Sequence, residues 1–339
     1  MFGLPMKSLL PHLAEIAASP DHYLYAIEGG DAVIVPMDRA AYTRSIFLDA
    51  RISPAGESAL HVPIADLAAA LTAAIAPPPV TAWIFHVAHC GSTLLARALE
   101  GLGAEVMKGL VLREPLALRQ LAFAPDPARL SLVLAMLGRR YGGDGPTLVK
   151  ANVPVNALLP AIAAANPVAP AVFLHLGLED YALAVLRSPQ HRGWMRQVAA
   201  RFAGPIANGP PGPSDAACLA ALWLWQMRAF AGALDAMPQA CTLDAERFYA
   251  DPAATLAALA PRFGRPADAQ AIAALVAGPL FTSYSKRPGE SFDNTARLAR
   301  GAWLAQELAG EIAEARGWAE AAEPDLGALL AQIAAAALR

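Results

Sequence analysis

One stretch constrains the fold of this chain more than any other: Trp83-Ile84-Phe85-His86-Val87-Ala88-His89-Cys90-Gly91-Ser92-Thr93-Leu94-Leu95-Ala96-Arg97-Ala98-Leu99. Residues 83–88 are largely apolar and read as a buried strand, and residues 92–99 read as a helix with an apolar face. A short turn with one glycine joins them. A strand that enters a helix through a Gly turn makes an anion site. The first-turn N–H groups lack helical partners, and the helix dipole adds positive potential there. Ser92 and Thr93 add hydroxyl donors, so the chemistry implied is phosphate or sulfate binding.

The rest of the chain alternates around this unit. Residues 8–18 read as a helix, Tyr23–Glu28 and Ala32–Met37 as a β-hairpin about Gly29-Gly30-Asp31, Ile46–Leu48 as a short strand and Ile64–Ala76 as a helix. Pro77-Pro78-Pro79 forms a stiff break, which divides an N-terminal extension (1–79) from a main domain (80–339). In the main domain Trp83–Ala88, Glu105–Met107, Thr147–Lys150, Ala171–Leu176 and Gln239–Leu243 read as strands. Leu116–Ala122, Ala128–Tyr141, Val155–Ala165, a segment from Glu179, 293–316 and 325–337 read as helices. Such alternation predicts a three-layer α/β/α domain on a central parallel sheet, with ligands at the carboxyl ends of the strands.

Composition narrows the partners. A net charge of −3 without a basic block argues against nucleic acid. Cys90, Cys218 and Cys241 are odd in number and widely spaced, which speaks against a disulfide framework and for a reducing cytoplasm. Met1–Pro20 lacks a secretory pattern. The apolar run Cys218–Met237 contains Gln226, Arg228 and Asp235, so it reads as a buried helix with Trp223 and Trp225 in the core, not a membrane span. His86 and His89 fall on a strand and a turn, and no metal spacing is present. The expectation is a cytoplasmic protein without metal, nucleic-acid or membrane partner; the sequence does not give its oligomeric state.

Three loop patterns can be set against 86–97. The nucleotide-triphosphatase pattern G-x-x-x-x-G-K-[ST] fails, since His86 stands at its first Gly and Ser92 at its Lys. The cysteine-phosphatase pattern H-C-x5-R starts at His89-Cys90, but Arg97 lies one residue too far along. The third pattern, P-[KR]-S-G-[ST]-T-x-L, matches Ala88-His89-Cys90-Gly91-Ser92-Thr93-Leu94-Leu95 at the Gly, both hydroxyls and the final Leu, with His89 at the basic position. In this loop the chain resembles the sulfotransferase superfamily. Glu246, Phe248 and Asp251-Pro252 also match that superfamily's late scaffold segment, so the resemblance spans about 82–264.

The resemblance implies a P-loop sulfotransferase-like fold. It also implies transfer of a sulfuryl group from 3′-phosphoadenosine 5′-phosphosulfate (PAPS) to a hydroxyl or amine of a small-molecule or peptide acceptor. Cys90, Gly91, Ser92 and Thr93 would hold the 5′-phosphate. Lys150, at the carboxyl end of a strand, and His89 would stabilise transferring charge, and Glu114 would deprotonate the acceptor. The residues alone read more plainly: a lysine at a strand end, and an acid beside Pro115 at a helix start. The chief departure lies at Gly177 and Val185, where the family has the Arg and Ser that clasp the donor's 3′-phosphate. Arg187, Arg192, Arg196 or Lys286-Arg287 could substitute. Two other readings stay open: a non-catalytic nucleotide or anion binder, and a phosphatase or kinase-like enzyme using the 88–97 loop.

Overall fold

The computed structural model describes residues 6–74, 80–102, 109–204, 214–285 and 287–339. Near the N-terminus, β1 (His22–Glu28), β2 (Asp31–Pro36) and β3 (Leu60–Pro63) form an antiparallel sheet in the order β1-β2-β3. The expected hairpin is its first pair. The central sheet has five parallel strands: β4 (Ala82–His86), β5 (Val111–Arg113), β6 (Leu148–Lys150), β7 (Ala171–His175) and β8 (Ala240–Asp244), in the order β5-β6-β4-β7-β8. A two-stranded ribbon, β9 (Ser283–Tyr284) with β10 (Arg287–Ser291), lies late in the chain. Every residue of β4 is buried, as expected of a parallel strand covered by helices on both faces.

The strand order positions the site. The chain leaves β4 through helix Ser92–Gly101 toward β5, whereas β6 crosses over β4 to reach β7. Connections therefore diverge at the carboxyl ends of β4 and β7, and an open parallel sheet has its ligand crevice at such a point. Residues 87–91 lie there.

The structure bears on three sequence expectations. The second sheet strand is Val111–Arg113; the proposed Glu105–Met107 lies outside the described residues, as does the Pro77–Pro79 break. Ile46–Leu48 is not a strand, but it does cover the sheet edge: Leu48 N–H donates to the Arg113 carbonyl at 2.7 Å and the Leu48 carbonyl accepts from Leu116 N–H at 3.1 Å. An edge strand capped in this way is closed to further pairing. Residues 293–316 are two helices, Asn294–Glu307 and Ala309–Ala322.

Helix Asp215–Ala236 is long and apolar enough to cross a membrane, yet 67% of its most apolar window is buried inside the protein. It packs on helices Pro189–Phe202, Leu159–Ala165 and Ala309–Ala322. Trp223 is buried and its Nε1 donates to the Leu176 carbonyl at 2.9 Å, while Trp225 is half-buried and stacks on Phe202.

The N-terminal unit shares one continuous core with the main domain, and two buried arginines join them. Arg113, 1% exposed, donates to the carbonyls of Tyr42 (2.8 Å), Ser45 (2.6 Å) and Ile46 (3.1 Å) and pairs with Glu100 at 2.6 Å. Arg139 donates to the carbonyls of Ile16, Ser19 and His22, and burial draws its guanidinium down to about 10. Removing one partner of a buried ionic network costs about 3–5 kcal/mol, because the other groups stay buried without compensation. Arg113→Met is therefore expected to lower unfolding free energy by about that amount in a urea titration. A loss below about 0.5 kcal/mol, typical of a surface substitution, would refute the role given to Arg113.

Candidate functional site

The β4–helix turn is strained in a particular way. Ala88 (φ 74°), His89 (φ 52°) and Gly91 (φ 76°) all lie in the left-handed region. For a residue with a Cβ that conformation costs about 1–3 kcal/mol and clusters where ligands are held. His86 steadies the turn, its Nδ1 accepting from Ala88 N–H at 3.0 Å. Asn156 Nδ2 donates to the His86 carbonyl at 3.2 Å. The first helical bond runs from Leu95 N–H to the Gly91 carbonyl at 3.0 Å, so the N–H groups of Ser92, Thr93 and Leu94 precede the ladder. Among the described residues, Thr93 Oγ1 is buried without a hydrogen-bond partner, and so is Asn152 Oδ1, just beyond β6. Both residues line the same cavity as the strained turn.

Gly91 is needed for a reason the sequence does not show. A Cβ there would sit 2.6 Å from the Tyr249 hydroxyl and 2.9 Å from its ring. Tyr249 lies against the loop, with the Arg297 guanidinium 4.4 Å from its ring centroid. Burial raises its hydroxyl well above the ordinary tyrosine range, so it stays a neutral donor.

Lys150 and Glu114 come together. Parallel register pairs Arg113 with Lys150, and Glu114 N–H donates to the Lys150 carbonyl at 2.7 Å. Lys150 Nζ contacts Glu114 Oε1, while Arg51 Nη2 stands 3.7 Å from Oε2. Glu114 itself has φ 57°. A cavity of about 1240 Å3 opens over these residues and the loop. Ala88, His89 and Glu114 line it, and they are the three non-glycine residues with positive φ among those described. Lys150 does not line it: wholly buried, it lies behind Glu114, and this corrects the expectation of direct contact with a transferring group.

The other expected residues divide. Gly91, Ser92, Thr93 and Arg187 line the cavity, and Arg187 has neither hydrogen bond nor ion pair among the described residues. Arg192 is withdrawn as a phosphate clasp. Its guanidinium is committed to Asp215 (2.8 Å), Glu311 (2.6 Å) and the Leu186 carbonyl (2.7 Å), away from the cavity. Arg196 likewise pairs with Asp215, and Lys286 lies outside the described residues. Val185 is core, while a Cβ on Gly177 would meet only Asp180 Oδ2, at 3.8 Å. The His89 ring rests on His191 (centroids 4.0 Å) and meets Trp194 edge-on (5.4 Å), which sets it in an aromatic wall.

Cys90 is fully buried and burial pushes its thiol up to about 11, against the opposing charge of Lys150. Arg97 points away, donating to the Ser285 carbonyl at 2.9 Å. A thiolate nucleophile needs the reverse, a lowered pKa and an arginine over the loop, so this arrangement does not suit cysteine-phosphatase chemistry.

Sequence reasoning missed Arg51, Asn152 as a partnerless group, and Tyr249. Each reaches the cavity from a distant segment, and only Asn152, two residues past Lys150, had a local signal. Comparison with protein-family models, with curated proteins and with solved structures gives no match for this chain.

Two loop substitutions should separate. Gly91→Val forces a Cβ into Tyr249 at positive φ and is expected to abolish nucleotide binding in a calorimetric titration while circular dichroism stays that of a folded protein. Cys90→Ser keeps the backbone and is expected to retain most of that binding. Unchanged affinity in the first variant would remove the loop from the binding site.

Proposed function

We propose that the chain transfers a sulfuryl group from PAPS to a hydroxyl or amine acceptor. The observation that carries this reading is the convergence on one cavity of the strained turn, the Thr93 and Asn152 orphans and the Glu114 carboxylate. The turn and the Ser92–Leu94 N–H groups suit the donor's 5′-phosphate, with the helix dipole favouring its charge. In the transfer, the acceptor oxygen or nitrogen bonds to sulfur as the bond from sulfur to the phosphate oxygen breaks. The electron pair leaves with the phosphate, and the acceptor's proton passes to Glu114. Lys150 is then a positioning residue, since it acts by fixing Glu114 from beneath. Positioning and fixed charge supply such catalysis, with no covalent enzyme intermediate.

A second reading, a nucleotide binder without turnover, draws on two observations. Lys150 is turned to Glu114 and away from the cavity, and Gly177 and Val185 offer no phosphate clasp. Arg187 is the described candidate for a substitute clasp, since it is an exposed cation on the cavity wall.

Binding and turnover decide between the readings. A ligand at 100 times its Kd stabilises a protein by about 2.7 kcal/mol, so thermal unfolding reports affinity directly. The transfer reading expects 3′-phosphoadenosine 5′-phosphate to raise Tm more than adenosine 5′-phosphate, and Arg187→Ala to erase the difference. A charge-assisted hydrogen bond is worth about 1.5–3 kcal/mol, or about tenfold to a hundredfold in Kd. Labelled sulfate from PAPS should then appear on an acceptor. Equal, weak binding of the two nucleotides without labelled product would overturn the transfer reading and leave the binder.

A further inference from the structure

The cavity is larger than one ligand needs. Sites for a single small molecule run to about 300–1,000 Å3, and this one holds about 1240 Å3. The loop and Tyr249 occupy one part of it. Beyond Glu114 lies a second part, walled by Asp49 and Arg51 of the N-terminal unit and by Arg119 and Phe123 of helix Leu116–Phe123.

The charges in this second part do not cancel. Asp49 takes Arg51 in a two-pronged pair, with Nε–Oδ1 at 2.8 Å and Nη2–Oδ2 at 2.5 Å. Asp49 is only 6% exposed, and the same guanidinium lies 3.8 Å from the Phe47 ring centroid, so Arg51 is held from two sides. Hydrogen bonds from Arg51 offset the burial of Asp49 and keep its carboxyl below the ordinary range, hence ionised. Lys150 is matched by Glu114. Arg119 brings a further positive charge: it is exposed, it acts on Asp49 through space, and its side chain makes no hydrogen bond or ion pair among the described residues. One helical turn later, on the same face, Phe123 rests against the Phe202 ring (centroids 5.3 Å) and still leaves 38% of its surface open. An exposed guanidinium and a partly open ring at i and i+4, both lining the cavity, make a paired cationic and apolar contact.

We infer that this part of the cavity is an acceptor subsite for a molecule with an aromatic or apolar body and a carboxylate. Phe123 takes the body, Arg119 takes the carboxylate, and the Arg51–Asp49 pair closes the wall. The inference rests on the reading that Glu114 receives the acceptor, and it extends that reading from any hydroxyl or amine to an acid-bearing one. It also gives the N-terminal unit a place in the site.

The test uses the whole chain and three para-substituted phenols: para-hydroxybenzoate, its neutral amide, and the longer cation tyramine. Ligand-observed magnetic resonance or calorimetry gives their affinities without any donor. The benzoate is expected to bind about tenfold or more tighter than the amide, the effect of one charge-assisted hydrogen bond, and tyramine more weakly than either. Arg119→Gln should bring the benzoate down to the amide while leaving the amide unchanged. Phe123→Ala should weaken both. Both side chains are exposed, and circular dichroism checks that Phe123→Ala, which gives up the Phe202 contact, remains folded. Equal affinity for the three probes, or a benzoate preference that survives Arg119→Gln, overturns the subsite. Gly91→Val separates this outcome from failure of the transfer reading: nucleotide binding is lost there, while the benzoate preference is expected to persist. A benzoate preference that vanishes in Gly91→Val counts against a separate subsite.

Discussion

Arg113 is the point at which the two parts of the molecule meet. It is a buried arginine at the carboxyl end of a parallel strand, and its charge is tolerable only because carbonyls and Glu100 surround it. Those carbonyls belong to Tyr42, Ser45 and Ile46, so the side chain fixes the segment leading into Phe47, Asp49 and Arg51. Its own carbonyl takes Leu48 N–H. The next residue in the chain is Glu114, and the strand neighbour in register is Lys150. One buried guanidinium thus sets the distance between the N-terminal unit and the ion pair at the site. Buried residues of the two parts belong to one continuous core.

Strain and burial are concentrated around the same cavity. Ala88, His89 and Glu114 each carry a conformation that costs about 1–3 kcal/mol, and none is a glycine. Such conformations persist only where surrounding contacts over-determine them. Asn156 on the His86 carbonyl and Lys150 on both the main chain and the side chain of Glu114 are contacts of that kind.

Local patterns were legible in the sequence and long-range pairings were not. The strand, Gly turn and helix at 83–99 could be read because apolar runs and one glycine report on near neighbours. The β7 and β8 positions, the hairpin and the buried helix about Trp223 followed by the same logic. Residues 46–48 failed because they bond the sheet edge through isolated main-chain contacts without strand geometry. Arg192 failed because proximity in sequence to the missing clasp said nothing of Asp215 and Glu311, which reach it from distant helices. Lys150 and Glu114 were each placed at the site, yet their mutual pairing required the register of β5 on β6, which no local pattern encodes.

The walls of the cavity differ in what holds them. On the N-terminal side, Arg113 and Arg139 are buried and their removal costs several kcal/mol. On the opposite side, helix Asn294–Glu307 contributes no buried residue, and Leu298 and Trp303 remain 54% and 57% exposed. Its ties to the body include the Arg297–Glu246 pair, at 2.7 and 2.6 Å, and Asn294 Nδ2 on the Tyr249 carbonyl at 3.4 Å. Both ends of that ion pair are partly exposed, and such pairs contribute about 0–1 kcal/mol. The N-terminal wall is thus tied through buried groups, and the wall at helix 294–307, next to Tyr249 and the strained turn, through partly exposed ones.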